Sequence, residues 1–98
     1  MGYQFPTTTN NKLYYKMKQI LYFSGKFCAP CSSFKPTIDK ISQQLNVVYI
    51  DVDENNLVVA EYGVRSVPTL VFLRDNRMVE KRSGVMSEQQ IMQIYNSL

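Results

Sequence analysis

The chain has 98 residues, 45% of them apolar and 19% charged, with a net charge of +3. That length suits one small domain with one core, and the balance is that of a globular chain rather than a disordered one. The 11 basic residues are spread from Lys12 to Arg82, which argues against a nucleic-acid partner, and no apolar run approaches the ~18–20 residues that span a bilayer.

The opening Met1-Gly-Tyr-Gln-Phe-Pro6 lacks the basic segment and apolar stretch of a secretory signal, and Pro6 stands where a myristoylation signal needs Ser or Thr. A cytoplasmic location is therefore expected, where the surrounding poise keeps ordinary thiol pairs reduced. Residues 1–11 are polar and read as an irregular lead-in. A first strand is expected within 12–23. Its start reads equally well as a helical turn, while Ile20-Leu-Tyr-Phe23 is β-branched and aromatic enough for a buried strand end.

Ser24-Gly-Lys26 leads into Phe27-Cys28-Ala29-Pro30-Cys31, which holds both cysteines of the chain. From Pro30 the period changes. Phe34, Ile38, Ile41 and Leu45 fall on one face of a helix running to Leu45, with Pro36 inside it as an expected kink. Val47 to Asp53 reads as a second strand, apolar enough to be a central parallel strand covered on both faces. Glu54 to Tyr62 is expected to form a short helix capped by Gly63.

Pro68 cannot donate to a ladder, so the next strand is expected to begin at Thr69. Arg74-Asp-Asn-Arg77 reads as a turn, and Met78 to Ser83 returns as an antiparallel partner until Gly84 breaks it. Ser87 and Gln90 have the spacing of a capping box. The last helix then has Ile91, Ile94 or Tyr95, and Leu98 facing inward. The order β, α, β, α, β, β, α implies an α/β fold, a mixed sheet with helices on both faces.

A dithiol at a strand-to-helix junction reads first as a redox site. A structural disulfide is the second reading, although so short a loop constrains the unfolded chain little. A metal site is the third, but structural zinc takes four ligands and the chain has two cysteines and no histidine. With no imidazolium to help, the free N–H groups and dipole of the helix start are the main means of stabilising a thiolate, with Lys26 as a second contributor. For Pro68 the local pattern says only a strand-edge proline.

Over residues 17–98 the chain resembles the thioredoxin family. The resemblance rests on aromatic-Cys-x-Pro-Cys at Phe27–Cys31 with Pro36 in the helix, and on the apolar strand ending Asp51-Val-Asp53. It rests also on Tyr62-Gly63…Val67-Pro68-Thr69 and on Gly84 before the last helix. The chain departs from the family at several positions. The family's tryptophan before the first cysteine is Phe27, and the glycine between the cysteines is Ala29. Its buried aspartate is Tyr22, that residue's lysine partner is Tyr49, and the hairpin glycine is Asn76.

The resemblance implies the thioredoxin fold and a protein-disulfide reductase. Cys28 would be the nucleophile and Cys31 the resolving thiol, with Pro30 fitted to the first helical turn. It implies a cis Pro68 packed against the dithiol, which leaves the Val67 backbone free for an extended substrate and crowds metal away from the sulfurs. Phe27, Ala29, Pro30 and Val67, with Val85, would form an apolar rim for a partner. Tyr22 is either simple core filling or a functional departure, because a phenol with a reference pKa of ~10 is a poor base near neutral pH. Tyr49 is expected to pack against it.

No cofactor or metal is implied. The expected partners are disulfide-containing proteins and a thioredoxin reductase or other dithiol donor, with no nucleic acid or membrane, and a monomer is expected. Two alternatives remain at this level: a non-catalytic interaction module on the same fold, and a glutaredoxin-like enzyme using glutathione.

Overall fold

The computed structural model describes residues 17–98. Within them the strands are β1 (Lys18–Ser24), β2 (Val47–Asp51), β3 (Thr69–Arg74) and β4 (Arg77–Ser83), and the helices are α1 (Ala29–Ile41), α2 (Asn56–Glu61) and α3 (Glu88–Asn96). The strands lie in the order β2-β1-β3-β4. β1 and β2 are parallel, which requires the α1 crossover, and β1–β3 and β3–β4 are antiparallel. This is the mixed sheet with helices on both faces that the element order implies, and it is the thioredoxin fold.

Period-2 alternation sorts the core into two layers. Ile20 and Tyr22 of β1 and Leu70 and Phe72 of β3 join Phe34, Ile38 and Ile41 of α1 and Ile91 of α3 on one face. Leu21, Phe23, Val71 and Leu73 point the other way, onto Ile50, Val64 and the partly buried Val58, Val59 and Tyr62 around α2. Because β1 and β3 carry apolar residues at successive positions, both faces of the sheet centre are covered. Each fully buried large apolar side chain here contributes about 1.5–3 kcal/mol.

Several element boundaries differ from the expectations. The strand expected within 12–23 runs from Lys18 to Ser24, and residues 12–16, like the expected irregular lead-in, lie outside the described residues. α1 ends at Ile41 rather than Leu45. Its Ser42 cap donates to the Ile38 carbonyl, and Gln43 and Gln44 continue with looser i to i−3 bonds. Leu45 still packs against the core from outside the helix. Pro36 lies within an uninterrupted α1, where its missing N–H leaves the Ser32 carbonyl without the usual partner.

β2 stops at Asp51, where its pairing with Ser24 ends. Among the described residues it stands at one end of the sheet order, with Tyr49 exposed. Among the described residues β1 and β3 have a strand on each side. α2 is shorter than expected, Asn56–Glu61, and Leu57 is exposed. Gly63 follows it at φ +62°, the left-handed conformation anticipated for a C-terminal cap. The hairpin turn uses Asp75 and Asn76 at φ +53° and +68°, so asparagine does occupy the left-handed position that glycine holds in the family. The Ser87–Gln90 capping box forms in both directions, Ile91 is buried, and Ile94, Tyr95 and Leu98 pack against the core.

Candidate functional site

The C-terminal end of β1 opens into the loop Gly25–Phe27 and then α1, and the dithiol sits at that junction. Cys28 is the N-cap of α1, in extended conformation (φ −134°, ψ 100°), with Ala29, Pro30 and Cys31 as the first helical residues. Its Sγ accepts the Cys31 main-chain N–H at 3.1 Å, one of the donors that a helix start leaves without a partner. Proline fits this first turn, where its lack of an N–H costs nothing. Cys28 and Cys31 form a disulfide with Cα atoms 5.2 Å apart. The two cysteines differ in exposure. Cys28 is half-buried, whereas Cys31 is only 4% exposed.

Around them, Phe27 stands fully exposed (101%), with Ala29 and Pro30 also exposed. The Val67–Pro68 peptide bond is cis, and Pro68 is buried. Antiparallel pairing of Phe23 with Thr69 carries the Pro68 segment to the same end of the sheet as the dithiol loop. A Cβ placed on Gly25 would lie 3.6 Å from a Val67 methyl, so the two loops are neighbours. Among the described residues the Val67 N–H and C=O have no main-chain partner. Val85 is exposed. Lys26 turns to Glu54, with its Nζ 3.8 Å from the carboxylate, so its charge is shared with that acid.

Behind the dithiol lies Tyr22, 2% exposed, whose hydroxyl donates to the Cys31 carbonyl at 3.3 Å. Its ring meets Phe34 and Tyr49 edge-on, with centroids 5.9 and 5.7 Å away. Packing by Tyr49 is therefore as expected. Burial raises the Tyr22 phenol above its ordinary value, against an opposing contribution from Ser24. The group is a neutral donor near pH 7.

Sequence reasoning missed what Tyr49 does with its other end. Its hydroxyl donates to Asp39 Oδ1 at 2.5 Å, while Lys35 Nζ donates to Asp39 Oδ2 at 2.8 Å. Lys35 and Tyr49 together hold the Asp39 carboxyl below its ordinary range, and Asp39 raises Lys35 in return. The i,i+4 spacing of Lys35 and Asp39 is readable in the sequence. The Tyr49 contact depends on how α1 crosses β2.

A buried cysteine and a partly buried one, joined as a disulfide at a helix N-cap beside a cis-proline loop, define a thiol–disulfide oxidoreductase. The thioredoxin family profile matches residues 5–97. The thioredoxin of Bacillus subtilis is 35% identical over 78 residues, covering 76% of this chain and 75% of that protein. A mutant thioredoxin from Halobacterium salinarum superposes with a TM-score of 0.79 at 31% identity, covering 96% of this chain and 85% of that one. A thioredoxin of Fasciola hepatica, at 24% identity and a TM-score of 0.77 over 90% and 86% of the two chains, shares the fold. The chain belongs to the thioredoxin family.

Proposed function

We propose that the protein is a disulfide reductase in which Cys28 is the nucleophile and Cys31 the resolving thiol. The observation that carries this is the asymmetry of the pair. Cys28, the more exposed of the two, receives a helix N-terminal N–H on its sulfur, and Cys31 is buried one turn inward. In the dithiol form, the N–H groups and dipole of the helix start favour the Cys28 thiolate over the thiol. That thiolate attacks one sulfur of a substrate disulfide, and the other leaves as a thiolate and takes a proton. Cys31 then loses its proton and attacks Cys28, which releases the second substrate thiol. The substrate has gained two electrons and two protons, and the protein is left as the Cys28–Cys31 disulfide.

Tyr22 takes no proton in this scheme. A neutral phenol committed to a carbonyl is a poor base, so the Cys31 proton leaves to water or an adjacent group. Phe27, Ala29, Pro30 and Val67 form the rim a disulfide-bearing protein meets, and the unpaired Val67 main chain is available to an extended segment. A thioredoxin reductase or another dithiol donor restores the dithiol, in a reducing compartment such as the cytoplasm.

Insulin-disulfide reduction by wild type, Cys28→Ser, Cys31→Ser and the double variant tests this, driven by a thioredoxin reductase and separately by glutathione. Cys28→Ser is expected to be inactive, and Cys31→Ser to accumulate a mixed disulfide with substrate. Wild type no faster than the double variant with either donor would overturn the reading.

A further inference from the structure

Beside the cis-proline loop lies a polar cavity of about 390 Å³ that the exchange chemistry does not use. Its wall includes Arg65, Ser66, Thr69, Lys81 and Ser83, two cations and three hydroxyls, with no carboxylate among the described residues. Lys81 Nζ donates to the Tyr62 and Gly63 carbonyls at 3.3 and 3.1 Å, which fixes it at the end of α2 and leaves one of its three donors unused. Arg65 is exposed and has no ion-pair partner among the described residues. The nearby Glu80 is occupied with Arg82, and Glu61 is exposed at the end of α2. Val64, Arg65 and Ser66 also line a second cavity of about 240 Å³, completed by Val52, Val59 and Val67. The segment from Val64 to Ser66 is thus common to a cavity that holds two cations and to one completed by valines. The next residue, Val67, adjoins the dithiol loop.

We infer that the cavity between Arg65 and Lys81 is a subsite for an acidic side chain on the extended segment that carries the substrate disulfide. An extended chain sends successive side chains to opposite sides. A segment laid along Val67 therefore has side chains of both directions available to the two cavities that share Arg65 and Ser66, and the one that holds Arg65 and Lys81 matches a carboxylate. Arg65 offers a planar fork suited to two parallel hydrogen bonds, and the spare Lys81 donor faces the same space. The site selects among disulfides by what flanks them and adds nothing to the exchange step.

This rests on the disulfide-reductase reading, and the test separates the two. Short disulfide-bridged peptides with neutral flanks are compared with variants carrying a single Glu for Gln at each flanking position in turn. 2-Hydroxyethyl disulfide, uncharged and without flanks, reports the dithiol chemistry alone. One Glu position is expected to raise kcat/KM by about five-fold, the scale of one partly exposed charge-assisted hydrogen bond. The gain should disappear in Arg65→Gln and return largely in Arg65→Lys, with 2-hydroxyethyl disulfide reduced at the wild-type rate by both. Arg65 is a surface residue, so these variants keep the fold even where Lys81→Met does not. An equal gain at every position would mean only general attraction to a cationic protein and would overturn the subsite, as would a positional gain that survives Arg65→Gln. Failure of the wild type on both 2-hydroxyethyl disulfide and insulin would instead overturn the reductase reading.

Discussion

Replacing Tyr22 with phenylalanine removes one atom from the back of the dithiol and little else. The edge-on contacts with Phe34 and Tyr49 survive, and no cavity larger than a hydroxyl is left. The bond lost is 3.3 Å long, and its acceptor, the Cys31 carbonyl, lies in the first turn of α1, where a helical N–H also points at it. The expected cost is thus in the lower part of the usual range for a net hydrogen bond, about 0.5–1 kcal/mol. For a domain of this size that lowers Tm by about 2–8 °C. Because the phenol is a neutral donor aimed at a carbonyl and not at a sulfur, insulin reduction is expected to stay within about two-fold from roughly pH 6 to 9. Thermal unfolding of the disulfide form and steady-state turnover over that range check both halves. A loss of about ten-fold in turnover with an unchanged Tm would refute the reasoning, because about 1.4 kcal/mol of barrier would then come from a hydroxyl assigned no proton to move. Tyr22→Asp is the complementary change. It gives up an aromatic side chain, about 3–5 kcal/mol on the scale of large-to-small core substitutions, but puts a carboxylate behind Cys31. Turnover near neutral pH should rise in protein shown to be folded by circular dichroism, and no gain anywhere from about pH 6 to 9 would mean that Cys31 deprotonation does not limit the reaction.

Two further expectations concern the surroundings of the site. Asp39 has a folded-state pKa depressed below 3.8 by Lys35 and Tyr49, so its contribution to stability is present above that value and is lost as pH falls through the lower, folded pKa. Urea denaturation of wild type and Asp39→Asn should differ near neutral pH and converge in acid below 3.8; a difference independent of pH would assign the effect to packing. Phe27→Ala should leave stability within about 0.5 kcal/mol, since the ring is fully exposed. It should raise KM for protein disulfides and spare 2-hydroxyethyl disulfide, so an equal loss on both substrates would place Phe27 in the chemistry rather than at the rim.

Much of the fold is legible along the chain because its signals are local. The 4-3-4 spacing from Phe34 to Leu45 marks α1, Ser87 and Gln90 mark the start of α3, and Asp75-Asn76 marks the hairpin. Each is a short-range preference that the sheet reinforces. The boundaries that shifted are those set by a partner. β2 ends where Ser24 ends its pairing, and α1 ends at a cap before Leu45, although Leu45 still reaches the core.

The dithiol, its helix N-terminus and the absence of histidine are properties of residues 27–31 and of the composition, and they point to thiol exchange before any folding is considered. Folding decides which cysteine is buried, because burial of Cys31 requires α1 to lie against β1 and β3. Folding also brings Val67 beside Gly25, more than forty residues away in sequence, and joins Tyr49 to Asp39 across the α1–β2 crossing. It sets Arg65 and Lys81 about one cavity. Sequence spacing carries chemistry that neighbours share along a turn of helix. Contacts between distant residues depend on the register of the sheet and the crossing of its helices, which many sequences reach by different local routes.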